Sequence, residues 1–159
     1  MYLDAMEFLE EERDAFRPFE ALLELSDEEL EQPVPEAHGW SARDLIAHLV
    51  GWQAITLDVA KELAVDETSP ARARIEAEWA SRGDAWNEEI RQAWSELPAQ
   101  EVRERMRTVP GELRGYLTVI PEARWLKHQT HFSSFMDVTL DHYDDHAPEL
   151  AAILRATGR

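Results

Sequence analysis

Apolar residues in this chain recur at steps of three and four almost from end to end, and no stretch alternates strictly between apolar and polar. Steps of three and four place side chains on one face of an α-helix, whereas a half-buried strand needs a period of two. The hairpin dipeptides Asn-Gly and Asp-Gly are absent as well. Helices must therefore supply the core, and 159 residues with 44% hydrophobic content and six tryptophans are enough to build one. The length fits one domain spanning residues 1–159.

The periodicity predicts four principal helices. The first covers about residues 4–25, with a stripe through Met6, Leu9, Arg13, Phe16 and Leu23 and a kink at Pro18. The second opens at Ser41, whose partner Asp44 completes a near capping box, and presents Leu45, His48, Leu49, Trp52, Thr56, Val59 and Leu63 on one face. The third runs over 70–97 through Ile75, Trp79, Trp86, Ile90 and Trp94, with a break near Gly83. A shorter helix follows Pro98 and stops before Pro110-Gly111, with another turn or two over 112–119. The last long helix spans 124–157, kinks at Pro148 and stops at Gly158. This reads as an all-α, four-helix bundle with short extra helices between the third and last long helices.

Charge and composition narrow the function classes. Thirty-three acidic residues against 16 basic ones give a formal charge of −17, a field that repels phosphate backbones and excludes nucleic acid as an expected partner. With no cysteine there is no disulfide, thiolate metal site or cysteine nucleophile. The acidic start, MYLDAMEFLEEERDAF, lacks the basic and apolar regions of a signal peptide, and no apolar run approaches the roughly 18 residues of a membrane span. A cytoplasmic protein that avoids membranes is the expectation.

Polar residues where the pattern demands apolar ones carry the chemistry. His48 interrupts the buried stripe of its helix, and His142 and His146 sit one turn apart on the inward face of the last one. Stacked at this spacing, two imidazoles can share one ion. A lone buried histidine is ordinarily a satisfied core residue. Three unpaired ones would cost about 1–3 kcal/mol each, so their coincidence calls for a common partner. Around them, Trp52 is a pocket wall or simply core. Thr139 orients a ring or bonds its own helix. Asp145, with Asp141, Asp144 and Glu149, is a solvated face or includes one carboxylate acting on the site. His38, His128 and His131 read as surface residues.

The run Gly39-Trp40-Ser41-Ala42-Arg43-Asp44-Leu45-Ile46-Ala47-His48-Leu49-Val50-Gly51-Trp52 resembles the second-helix signature of the DinB/YfiT-like superfamily of metal-binding four-helix bundles. Thr139-Leu140-Asp141-His142-Tyr143-Asp144-Asp145-His146 resembles its other half, a His-x-x-x-His on the final helix. The resemblance implies a divalent ion held by His48, His142 and His146. It also implies kinship with thiol-dependent S-transferases and mycothiol-dependent maleylpyruvate isomerases, which use low-molecular-weight thiols such as mycothiol, bacillithiol or glutathione.

The expected function is thus a metal-dependent enzyme, with Zn²⁺ or Ni²⁺ on three histidines and an open position for water or a thiolate. A small electrophile would be the substrate, in a transferase, isomerase or hydrolase-type reaction. The alternative is a non-catalytic, stress-related protein that binds a small molecule or a metal. A homodimer is compatible with either.

Overall fold

The computed structural model describes residues 1–159, and all of its regular secondary structure is helical. Helix α1 (Ala5–Phe16) passes into a 3-10 stretch (Arg17–Glu24), and α2 (Asp27–Glu31) is a single capped turn. The long helices α3 (Ala42–Val65), α4 (Pro70–Ser95) and α5 (Ala99–Val119) follow, then α6 (Gln129–Val138) and α7 (Leu140–Ala156). No helix is long and apolar enough to cross a membrane.

Helix α3 is the axis of the molecule. It packs most extensively on α4 and α5, and it also meets α2, α6 and α7. Its N-terminal half joins one apolar cluster, where Leu45, Leu49, Phe16, Leu22, Met106 and Ile153 meet. Its C-terminal half joins a second, around Leu63, Phe8, Leu117, Trp125 and Phe135. The capping box that starts it forms as expected: Asp44 N–H donates to Ser41 Oγ at 3.2 Å and Ser41 N–H to Asp44 Oδ2 at 2.9 Å.

Several boundaries differ from the sequence reading, each for a local reason. Pro18 ends α1 in a 3-10 segment rather than kinking it. The buried face of α1 is Phe8, Leu9, Glu12 and Phe16, while Met6 is 55% exposed. Glu12 can lie inside because Arg114 of α5 and the Tyr143 hydroxyl both donate to its carboxylate. Helix α4 runs unbroken through Gly83, over which the Trp79 ring lies. Because α4 packs chiefly on α3, only Trp94 of its aromatic stripe is buried and Trp79 is 49% exposed.

Helix α5 continues through Pro110 and Gly111 instead of stopping there. Val102, Met106, Pro110, Leu113 and Leu117 form one buried stripe, and its packing outweighs the single hydrogen bond a proline removes. The expected short extra helices are therefore one helix of 21 residues. In the last segment the break falls at Thr139, not at Pro148. Thr139 leaves helical geometry (φ −122°, ψ −106°), whereas Pro148 sits on an exposed face within α7. The break coincides with the passage from one apolar cluster to the other: Phe135 and Val138 belong to the second, Tyr143 and Leu150 to the first. Fully buried Gln53 of α3 bridges it, donating from Nε2 to the Val138 carbonyl at 3.1 Å and to the Tyr143 hydroxyl at 2.6 Å.

Candidate metal centre

His48 lies in the second turn of α3, between buried Leu45 and Leu49. His142 and His146 lie in the first two turns of α7, immediately after the Thr139 break. The fold brings the three rings into a near-equilateral triangle, with centroids 4.6 Å (His48–His142), 4.7 Å (His48–His146) and 4.9 Å (His142–His146) apart. One ring nitrogen from each lies within 4.8 Å of the others. Nε2 of His142 and Nε2 of His48 are 2.9 Å apart, so in the metal-free protein one ring donates its proton to the lone pair of the other.

Burial sets the protonation state. Desolvation, then the neighbouring His146, lowers His48 to about 4. Desolvation, then His48 and His146, lowers His142 to about 3. These two imidazoles are therefore neutral near pH 7 and offer lone pairs rather than charge. Nδ1 of His142 and Nδ1 of His146 are buried without hydrogen-bond partners, so the triad on its own leaves polar capacity unmet. Two nitrogens on one ion at about 2.1 Å each lie roughly 3.0–3.4 Å apart. The observed 2.9 Å pair is close to that spacing. On donor type, spacing and unmet valence, the three residues fit a divalent cation.

The surroundings of the triad are specific. Trp40, the residue before the α3 cap, stacks on His146 (5.6 Å, 27°) and tilts over His48 (5.3 Å, 59°), covering one side. Glu149, one turn after His146, is buried; its Oε2 lies 3.6 Å from His146 Nδ1 and its Oε1 3.4 Å from His38 Nε2. The other side opens into a cavity of about 520 Å³ whose walls include the three histidines, Trp52, Trp79 and Arg72.

Of the flanking residues expected near the site, Trp52 is both core and wall, with its Nε1–H donated to Asn87 Oδ1 at 2.7 Å. Asp145 lines the cavity from an exposed position. Thr139 orients no ring: it is buried, and its hydroxyl donates to the Phe135 carbonyl of its own helix at 2.6 Å. Glu149 is the buried carboxylate beside the triad, and its place three residues after His146 and seven after His142 is the signal that marks it. Arg72 and Asp137 carried no comparable signal, and Trp40 only its place in the run that resembles the second-helix signature. His128 and His131 stack on each other at 3.8 Å, away from the triad. His131 is buried rather than on the surface, with Nδ1 2.6 Å from the Arg124 carbonyl.

Comparison with known families places the fold. Residues 9–134 match the model of the mycothiol maleylpyruvate isomerase N-terminal domain. The chain belongs to that family. Through it the chain is a member of the DinB/YfiT-like superfamily. The matched span includes His48 and ends before His142 and His146, so the convergence of the triad is a result of the fold rather than of the match. No curated protein and no solved structure matches the chain.

Proposed function

We propose that this family member is a divalent-metal-dependent enzyme that uses a low-molecular-weight thiol in S-transfer to, or isomerisation of, a small electrophile. The observation that carries the reading is three imidazoles converging within 4.8 Å on the wall of a cavity of about 520 Å³. His48, His142 and His146 would hold the ion, with Zn²⁺ or Ni²⁺ among the ions that suit an all-imidazole donor set. When bound, such an ion supplies a Lewis-acidic position that lowers the pKa of water or of a thiol. The protein has no thiol of its own, so the sulfur must enter as a cosubstrate; the family's name points to mycothiol.

The chain's own residues do the remaining work. Trp40 excludes water from one side of the triad, and Glu149 is placed to accept the Nδ1 proton of His146 and so fix that ring's tautomer. Trp52 and Trp79, edge to face at 5.2 Å, give an angled apolar wall for the electrophile. The same reading takes residues 1–159 as one functional unit, working in the cytoplasm as a monomer or homodimer.

The test is conjugation of mycothiol, and in parallel bacillithiol and glutathione, to chlorodinitrobenzene by the metal-loaded protein. Turnover that is lost on chelation and in His48→Ala supports the enzyme. Tight retention of a small molecule with no metal-dependent turnover for any thiol would replace it with a binding protein.

A further inference from the structure

The cavity beside the triad is long, and its two ends differ in chemistry. Along α3 its wall is the stripe His48, Trp52, Thr56 and Val59, three helical turns or about 16 Å. Helix α4 runs antiparallel to α3: Trp52 bonds Asn87 in its C-terminal half, while Ser69, at its N-cap, donates to Glu62 near the end of α3 at 2.6 Å. Arg72, in the first turn of α4, therefore stands at the end of the cavity remote from His48.

Arg72 is the only Lys or Arg in the cavity wall, in a chain with a formal charge of −17. Its side chain is 17% exposed. Nε donates to Ser134 Oγ of α6 at 2.5 Å and Nη1 to Glu76 Oε2 at 3.1 Å, and Nη2 bonds no protein group. A guanidinium has five N–H donors, so most of this fork is left free while two anchors hold it in place. Glu76 is 67% exposed and takes only the Nη1 edge. The other carboxylates on the wall, Asp137 and Asp145, form no ion pair with Arg72. They oppose a second negative charge on a ligand but leave the free Nη2 donors for one. Between the two ends the wall is Trp52, Trp79, Ile75 and Val59.

We propose that this cavity takes an elongated organic monoanion, with an apolar or aromatic body along Trp52 and Trp79, its single carboxylate on Arg72 and its reactive end toward His48, His142 and His146. The reactive end rests on the function proposed above; the carboxylate contact does not. Arg72 is thereby a specificity-determining residue. Lysine would keep the charge and lose the fork, so it should retain part of the preference.

The experiment is isothermal titration of cinnamate and of neutral cinnamamide into the metal-loaded protein and into the chelator-treated protein, for wild type, Arg72→Gln and Arg72→Lys. The acid should bind at least about tenfold more tightly than the amide in wild type, as a charge-assisted contact implies. The preference should persist after chelation, shrink in Arg72→Lys and vanish in Arg72→Gln, whose circular dichroism should match wild type. Absence of an acid preference in wild type, its retention in Arg72→Gln, or its loss on chelation alone would overturn the proposal. The last of these would place the carboxylate on the ion instead. Metal content measured on the same samples reports separately on the triad.

Discussion

Nε2 of His48 and Nε2 of His142 stand 2.9 Å apart across 94 residues of sequence, sharing one proton between two buried rings. That proton occupies the place where a cation would take both lone pairs, so the metal-free protein has a defined pH response. Both rings titrate well below the 6.5 of an unperturbed histidine, chiefly because burial disfavours the charged form. Between pH 6.5 and about 4 the unfolded chain therefore binds protons that the folded chain does not. Stability is fully present above pH 6.5 and declines as pH falls, by at most about 1.4 kcal/mol per pH unit for each ring. Thermal unfolding of chelator-treated protein should show this slope, and His142→Gln should remove that ring's share while leaving those of His48 and of the carboxylates. An unchanged slope in His142→Gln would contradict the assigned protonation state.

Glu149, whose Oε2 lies 3.6 Å from His146 Nδ1, is placed to act on the site through that ring. Its replacement by glutamine keeps the shape and removes the charge that would accept the Nδ1 proton. Metal affinity, read by competition with a chromophoric chelator, should fall about tenfold or more, while the unfolding midpoint of the metal-free protein barely moves. Equal affinity would mean that the 3.6 Å separation between Glu149 Oε2 and His146 Nδ1 is not closed on metal binding.

The carboxylate of Glu12 is held by Arg114 and by the Tyr143 hydroxyl, next in sequence to His142. Arg114→Met strands a charge whose side chain is 3% exposed, at a cost of about 3–5 kcal/mol. Chemical denaturation should show that loss, and adding Glu12→Gln to Arg114→Met should restore most of it. A loss below about 1 kcal/mol in the single variant would show that Glu12 is solvated on losing its partner.

Gly51 marks the close approach of α3 and α4. A Cβ there would meet Cγ2 of Ile90 at 2.4 Å. Alanine gains about 1 kcal/mol of helix propensity, but forcing apart a β-branched neighbour costs roughly 1–3 kcal/mol. Gly51→Ala should therefore be mildly destabilising, whereas in an Ile90→Ala background, where the clashing Cγ2 is gone, the same change should be neutral or stabilising. A more stable single variant would mean that the helices part without cost.

Which parts of this were legible in the sequence follows from physics that acts at different ranges. The Ser41–Asp44 cap and the helical stripe after it are local, so the start of α3 and the inward position of His48 could be read directly. His142 and His146 could be read as a pair, because one turn of helix fixes their relation. The break at Thr139 could not, since it depends on Gln53 of another helix bridging it and on two apolar clusters meeting there. Pro110 and Gly83 misled for the same reason: long-range packing kept α5 and α4 continuous where local propensity favoured a stop. Arg72 lay beyond reach because nothing near it in sequence indicates that Ser134 will hold it in a cavity wall.

Metal analysis of purified protein tests the central claim most directly, using wild type, His142→Ala and, as a control outside the triad, His131→Ala. The account predicts about one divalent ion per chain in wild type and in His131→Ala, and loss of nearly all of it in His142→Ala. Equal metal content in wild type and His142→Ala, or no ion retained by a folded wild-type protein supplied with Zn²⁺ or Ni²⁺, would contradict it.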